Sequence, residues 1–91
     1  MKIKLSRKSG KFLKNLGTDK FAKQIAIKIQ QLANNGHLND SKKLKGNFND
    51  YYRSDVGEFR IIYQIIANEL VIDLIGKRND SAVYKLMKRK K

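Results

Sequence analysis

Apolar and polar residues alternate most regularly between residues 51 and 78, and this stretch predicts three consecutive antiparallel strands. It is dense in β-branched and aromatic residues, and Val56-Gly57 and Asn68-Glu69 supply two turns. Turns of two residues fix the pairing register by counting. One face of the resulting sheet is apolar, and its predicted members are Phe59, Ile61, Tyr63, Ile65, Leu70, Ile72 and Leu74.

The opposite face of this sheet collects positive charge at one end. The predicted register sets Arg53 opposite Arg60, and Arg60 opposite Lys77. Like charges that face each other across strands destabilise a sheet. The cluster therefore indicates either an anionic ligand or a basic face that is simply solvated. A phosphodiester suits the first alternative, because guanidinium groups bind phosphate oxygens in bidentate pairs.

A short strand and a first helix precede the sheet. The segment KIKLS alternates near the N-terminus and predicts an edge strand with Ile3 and Leu5 facing inward. Ser6 or Ser9 is the predicted cap of a helix over about residues 9–16, whose lysines stay in water.

A second helix follows Gly17, with Thr18 as its predicted cap and Asn34-Asn35-Gly36 as its end. Its apolar residues recur at the spacing of a core-facing stripe, and they are Phe21, Ile25, Ile29 and Leu32. The two helices form a hairpin that can cover the apolar face of the sheet. The predicted fold class is α+β: an N-terminal strand and a helical hairpin packed on a small antiparallel sheet, with a short C-terminal helix.

Residues 36–50 are rich in turn formers, and we predict a loop that Leu44 anchors. Its lysines suit contacts with a nucleic-acid backbone, or equally a solvated loop; they are Lys42, Lys43 and Lys45. His37 is the one imidazole of the chain. It suits acid–base chemistry, but beside a helix end it also suits compensation of the helix dipole.

The C-terminal helix is predicted from its capping residues, Asn79-Asp80-Ser81. Arg78 lies directly before this helix and Tyr84 lies within it. Both are therefore expected near the cationic end of the sheet. Tyr84 is equally typical of a core aromatic on a short helix.

Composition indicates one small and very basic domain. The 91 residues suffice for one modest core, and we predict a single domain over residues 1–91. Lys and Arg total 21 against 8 Asp and Glu, which gives a net charge of +13. Such an imbalance points to a polyanionic partner and to an acidic protein that neutralises the free chain.

The cysteine and histidine content and the lengths of the apolar runs argue against several classes of protein. Cysteine is absent and histidine occurs once, so we expect no disulfide scaffold, no metal site and no cofactor. The basic N-terminus lacks the apolar core of a secretory signal, and no apolar run approaches the length of a membrane span. We therefore expect a cytoplasmic protein without a membrane partner.

The order and spacing of several short motifs resemble the RelE/ParE superfamily of bacterial toxins from toxin–antitoxin pairs. These motifs are LKG at 44–46, YYR and GEFRIIY within 51–63, and GKR followed by a tyrosine within 76–84. The RelE branch is the nearer one, because GKR followed by tyrosine is retained. The resemblance implies a RelE-like RNase fold, cleavage of mRNA in the ribosomal A site, and a cognate acidic antitoxin as partner.

The resemblance also implies roles for individual residues. Arg60 resembles the family's phosphate-binding and transition-state arginine, and Arg78 resembles its second active-site arginine. Tyr84 resembles the tyrosine that stacks on a base or assists proton transfer. Arg53 matches a basic position on the preceding strand, whereas Asp55 stands where the family often has another basic residue.

The implied reaction requires few functional groups beyond these residues. RNA carries its own nucleophile, so attack of the 2′-hydroxyl on the adjacent phosphate requires positioning, charge stabilisation and proton transfer but no metal. Tyr84 or a lysine such as Lys45 is the candidate for moving the proton. The residues expected to bind the RNA are Arg53, Lys77, Lys45, Lys43 and Lys42.

Two other functions fit the same sequence. The first is a ParE-like toxin that inhibits gyrase without cutting RNA, and Arg78 with Tyr84 weighs mildly against it. The second is a non-catalytic module that binds RNA or the ribosome, for which the charge of +13 is sufficient explanation.

Overall fold

The computed structural model describes residues 1–17, 19–38, 40–44 and 51–77. These ranges form one sheet in the strand order β1-β5-β4-β3-β2, with two helices. The elements are β1 (Lys2–Leu5), α1 (Arg7–Leu16), α2 (Lys20–Asn35), β2 (Lys42–Lys43), β3 (Tyr52–Val56), β4 (Phe59–Ile66) and β5 (Glu69–Lys77). The predicted α+β fold with an edge strand and a helical hairpin is confirmed. The predicted C-terminal helix lies outside the described residues, and the single domain over 1–91 stays a prediction.

The sheet is mixed and wider than predicted. β1 pairs parallel with β5, whereas the other neighbouring strands are antiparallel. β2 adds a strand where a loop was predicted, with Lys42 opposite Arg53 and Lys43 opposite Tyr52. Two residues are too few to show an alternating pattern, so this strand could not be recognised from the pattern of apolar and polar residues.

Both helices begin and end with recognisable caps. Ser6 caps α1 by accepting a hydrogen bond from the backbone N–H of Ser9, so the helix begins earlier than predicted. Asp19, and not the predicted Thr18, caps α2. α1 ends at Gly17 as predicted, with a φ of 62°, and Gly36 ends α2 in the same left-handed region.

Both hairpin turns lie one residue away from the predicted positions. Gly57-Glu58 closes the first hairpin, and Gly57 has a positive φ of 56° at the first central position. Ala67-Asn68 closes the second, and both residues have positive φ, the mark of a type I′ turn. A turn displaced by one residue moves every cross-strand partner by two residues. The faces are then kept, but the predicted partners are wrong.

A β-bulge at Asp73 changes the phase of β5. Tyr63 lies opposite Ile72, whereas Ile62 lies opposite Leu74, so Asp73 is an additional residue on this strand. Beyond the bulge Ile75 joins the core, and Leu74 leaves the face to which the alternation assigned it.

Two serines at the start of α1 anchor this bulge. The hydroxyl of Ser6 donates to the carbonyl of Asp73 at 2.6 Å, and the hydroxyl of the fully buried Ser9 donates to the carbonyl of Ile72 at 3.1 Å. These bonds satisfy backbone carbonyls at the irregular position and tie α1 to β5.

The core lies between the helices and one face of the sheet. The predicted stripe of α2 is confirmed, because Ile25, Ile29 and Leu32 are buried. Phe12 and Phe21 meet the ring of Phe59 edge to face, with centroids 5.8 and 5.5 Å away. The sheet contributes Phe59, Ile61, Tyr63, Leu70, Ile72 and Ile75.

The prediction that Ile3 and Leu5 face inward is wrong. Their exposed fractions are 41% and 43%. β1 is the outermost strand of the sheet, so its side chains have a neighbouring strand on one side only.

Candidate anion-binding site

The face of the sheet opposite the core carries a group of charged side chains from adjacent strands. Alternation along the strands places Arg53 of β3 and Arg60 of β4 on this face, and Lys42 of β2 lies directly opposite Arg53. We call it the charged face. The structure thus brings together two of the residues expected to bind RNA, Arg53 and Lys42, with Arg60, the predicted transition-state arginine.

Asp55 lies between the two arginines. Its Oδ1 accepts a hydrogen bond from Arg60 Nε at 2.8 Å, and its Oδ2 lies 3.3 Å from Arg60 Nη2. The same Oδ2 lies 3.7 Å from Arg53 Nη1. One carboxylate is therefore held by two guanidinium groups, with a bidentate pair on the Arg60 side.

The observed register explains this ion pair. Arg60 lies opposite Asp55 on β3 and opposite Gly76 on β5, whereas Arg53 lies opposite Ile62. The predicted juxtaposition of Arg60 with Arg53 is therefore wrong, and an opposite-charge pair replaces it. Pairs of this kind stabilise neighbouring strands.

The arginine side chains are largely sheltered. The exposed fractions are 15% for Arg60, 25% for Arg53 and 26% for Asp55. Ile62 is fully buried and Leu74 nearly so on the same face. Partial exclusion of water strengthens the attraction between a guanidinium group and an oxyanion.

Asp40, in the loop between α2 and β2, holds the backbone of Asp55 in place. Its Oδ2 accepts hydrogen bonds from the backbone N–H of Asp55 and from Lys28 Nζ, at 3.0 and 3.1 Å. Its Oδ1 accepts a hydrogen bond from the hydroxyl of the fully buried Ser54 at 3.0 Å. Sequence reasoning missed this residue, because a single acidic residue among turn formers has no periodicity that would identify it.

The environment of Asp40 favours its charged form. Burial by itself raises the pKa of this carboxyl. The hydrogen bonds from Lys28, Ser54 and the Asp55 backbone, together with the charge of Lys28, outweigh that effect and leave the pKa below its ordinary value. Asp40 thus anchors the loop to both α2 and β3 as an ionised group.

Other predicted site residues lie elsewhere. Lys77 lies opposite Phe59, so the predicted position beside Arg60 is wrong; the displaced turn and the bulge together move it. Lys43 lies opposite Tyr52, on the side of the sheet that faces the core. The remaining predicted residues lie outside the described part of the chain, and they are Arg78, Tyr84 and Lys45.

His37 belongs to an aromatic cluster on the core side of the sheet. Its ring packs against that of Tyr52 at a tilt of 34°, with centroids 4.0 Å apart, and its Nδ1 lies 2.8 Å from Tyr63 Oη. Tyr63 Oη in turn donates to Ser41 Oγ at 2.8 Å. Burial raises the pKa of Tyr63, helped by the charge of Asp40 and opposed by the Ser41 bond. His37 therefore has a packing role here, away from the charged face.

An open cavity of about 640 Å³ adjoins this cluster, and its polar lining is His37, Lys43, Tyr52 and Gln64. Within the described ranges, no three His, Cys, Asp or Glu side chains come together in a group that could hold a metal ion. Neither of the two helices described is long and apolar enough to cross a membrane.

Comparisons with known proteins agree on one group. The model of a protein family described as the ParE toxin of type II toxin–antitoxin systems, parDE, matches residues 3–81. No curated protein matches the chain.

Three solved structures with the same fold are distant from this chain in sequence. The YoeB–YefM complex from Staphylococcus aureus has a TM-score of 0.73 at 23% identity, over 86% of this chain and 97% of that one. The isolated RelE toxin of E. coli has a TM-score of 0.71 at 20% identity, over 98% and 96%. A YoeB/ParE toxin from Agrobacterium tumefaciens has a TM-score of 0.72 at 16% identity, over 86% and 99%.

Proposed function

This chain belongs to the ParE toxin family of type II toxin–antitoxin systems, and we propose that it acts by cutting mRNA on the ribosome without a metal ion. The RelE-like motifs in the sequence are the reason to prefer this activity over others in the superfamily. A cognate antitoxin is the expected protein partner. Structural relatives include complexes of a toxin with its antitoxin, and the charge of +13 suits an acidic one.

The observation that carries the proposal is that Arg53 and Arg60 lie on one sheltered face of the sheet, close enough together for a single carboxylate to contact both. Both guanidinium groups already bind an oxyanion on a sheltered face of the sheet. A phosphate presents oxygens of the same charge and of similar spacing, so the same two groups can hold an RNA phosphodiester. Lys42, opposite Arg53, extends the positive charge along the path of a strand.

The chemistry follows from this arrangement. The ribose 2′-hydroxyl attacks the neighbouring phosphorus and the 5′-oxygen leaves, which yields a 2′,3′-cyclic phosphate and a 5′-hydroxyl. Negative charge grows on the phosphate oxygens in the transition state, and preorganised guanidinium groups stabilise it there. Arg60 is assigned to this role and Arg53 to holding the substrate. Arg78 as second arginine, and Tyr84 or Lys45 as the group that moves the proton, stay predictions from sequence.

The test is cleavage of end-labelled mRNA on programmed ribosomes. Arg60→Ala is expected to lower the cleavage rate by about 10²-fold or more, because it removes a donor to the transition state. Arg7→Ala is the matched control, since it removes the same charge from an exposed position on α1. Uncut mRNA with the wild-type chain, or full activity of a folded Arg60→Ala variant, would refute the proposal.

A second function is favoured by one observation, the ion pair between Arg60 and Asp55. A guanidinium group that is already neutralised is poorly placed for catalysis, and a ParE-like toxin that inhibits gyrase needs no such group. A supercoiling assay with purified gyrase separates the two functions. Loss of supercoiling together with intact mRNA would favour the second.

A further inference from the structure

The ion pair at the charged face occupies the place where an anionic ligand would bind. Asp55 offers Arg60 two oxygens, at 2.8 and 3.3 Å, and shares one of them with Arg53 at 3.7 Å. These are contacts that a phosphate oxygen would make with the same groups. A phosphate that approaches the arginines therefore meets a carboxylate already bound there.

We propose that Asp55 is an internal competitor of RNA: its carboxylate stands in for the phosphate and must leave the arginines before RNA binds. This inference rests on the proposed function for the nature of the ligand. Asp55 thus lowers the affinity for RNA and reserves the site for substrates that other contacts hold in place.

Asp55 has a fixed position in the sheet, unlike a residue of a mobile ion pair on the surface. Asp55 lies within β3, and its backbone N–H is held by Asp40 Oδ2 at 3.0 Å. Ser54 beside it is fully buried and bonds the other oxygen of Asp40. These bonds fix the backbone, so the carboxylate can leave the arginines only by rotation of its side chain.

Electrostatics sets the direction of the effect. A phosphate that enters beside Asp55 meets a negative charge at close range, and partial burial of all three side chains reduces the screening by solvent. Neutralising Asp55 removes this repulsion and weakens the hold of this side chain on both arginines. The Asp55→Asn variant is therefore expected to bind RNA about tenfold more tightly, a factor that corresponds to about 1.4 kcal/mol.

The experiment measures binding separately from cleavage. A fluorescent single-stranded 2′-O-methyl RNA of ten nucleotides cannot be cut, because it lacks the attacking hydroxyl, and anisotropy reports its affinity over a range of salt concentrations. Asp55→Asn is expected to gain affinity and to steepen the salt dependence by about 0.7 in the log–log slope for each additional phosphate contact. Asp19→Asn is the control, because it changes the net charge equally and Asn caps α2 as well as Asp does.

A double variant shows whether the gain passes through the arginine. In an Arg60→Gln background, Asp55→Asn should bring a clearly smaller gain, since the arginine with the two short contacts to Asp55 is absent and only Arg53 and the lost repulsion contribute. Asp55→Thr serves as a second neutral variant, because Thr suits a strand if the Asn variant fails to fold. Equal affinity of Asp55→Asn and Asp19→Asn, or a gain that is as large without Arg60 as with it, would overturn the proposal.

Two further outcomes separate this inference from the proposed function. Tighter binding by Asp55→Asn without any cleavage of mRNA by the wild-type chain supports the competitor and rejects the nuclease. Cleavage by the wild-type chain without a gain in the variant rejects the competitor alone. Hexaglutamate is the second probe: a gain for this peptide and none for the RNA would identify the ligand as a protein carboxylate and overturn the proposal.

Discussion

Asp40→Asn tests how the loop between α2 and β2 is fixed to the rest of the fold. The carboxylate accepts three hydrogen bonds, from Lys28 Nζ, Ser54 Oγ and the backbone N–H of Asp55. An asparagine has one acceptor oxygen, so its amide nitrogen must face at least one of these donors. It also leaves the charge of Lys28 without its partner.

The expected cost follows from the strength of charge-assisted bonds. Hydrogen bonds to an ionised group contribute about 1.5–3 kcal/mol each when buried. The Asp40 side chain is 38% exposed, so solvent screens part of this energy. We expect Asp40→Asn to lower the free energy of unfolding by about 1–2 kcal/mol at pH 7, which is about 1 M in the urea midpoint.

The pH dependence gives a second, independent check. Because the pKa of Asp40 is lowered from its ordinary value of 3.8, the folded state binds fewer protons than the unfolded state around that pH. The stabilisation is therefore present in full above the unfolded pKa and is lost as the pH falls through the folded pKa. The gap between wild type and Asp40→Asn should accordingly shrink below about pH 4.

Urea denaturation followed by circular dichroism at pH 7, 5, 4 and 3 measures both effects. Asp19→Asn again serves as the control and should stay within about 0.5 kcal/mol of wild type at pH 7. Equal stability of Asp40→Asn at pH 7 would refute the role given to this carboxylate. If the difference in free energy of unfolding between wild type and Asp40→Asn is as large at pH 3 as at pH 7, its assignment to an ionised Asp40 is refuted.

Two other substitutions test the packing beneath the site. Tyr63→Phe keeps the ring but removes the hydroxyl that contacts His37 and Ser41; it should cost about 1 kcal/mol in urea denaturation, and no loss would show that these bonds do not stabilise the fold. Ile61→Ala should cost about 2–5 kcal/mol, because Ile61 is fully buried in the core. Calorimetry should show its Tm lowered by about 10–20 °C, and a cost below about 1 kcal/mol would contradict the core assignment.

The sequence pattern predicted α1, α2 and the main strands because their periods follow from local geometry. The spacing of Ile25, Ile29 and Leu32 predicted the buried side of α2, and the structure buries all three. The exact pairing of the strands was not predictable in the same way. The second turn places Ala67 at a φ of 50°, which no propensity of alanine suggests, and so the turn could not be located from composition.

The bulge at Asp73 was missed for another physical reason. Ser6 and Ser9 bond the carbonyls there from a distant part of the chain, and local alternation contains no sign of such contacts. Since residues beyond a bulge change face, the alternation assigned Leu74 to the wrong side.

The sequence pattern predicted that Arg53 and Arg60 share one face of the sheet, but it did not predict that Asp55 binds them. Arg53 and Arg60 share a face whether the turn lies at one position or the next, so their convergence survived the error in register. The predicted partner of Arg60 was wrong, because the pairing is displaced by two residues and Asp55 therefore lies opposite Arg60 in place of Arg53. To predict cross-strand neighbours, the turn must be located to the residue, whereas the face on which a side chain lies can be predicted with a turn that is displaced by one residue.

The parallel pairing of β1 with β5 bears on how the chain folds. Contacts within the two hairpins join segments that are close in sequence, whereas the bond from Ser6 to Asp73 spans 67 positions. During synthesis β1 leaves the ribosome first, yet it has no strand to join until β5 has emerged. In that interval the nascent chain presents an unpaired edge with the apolar side chains of Ile3 and Leu5, and this is when we expect it to be most prone to aggregation.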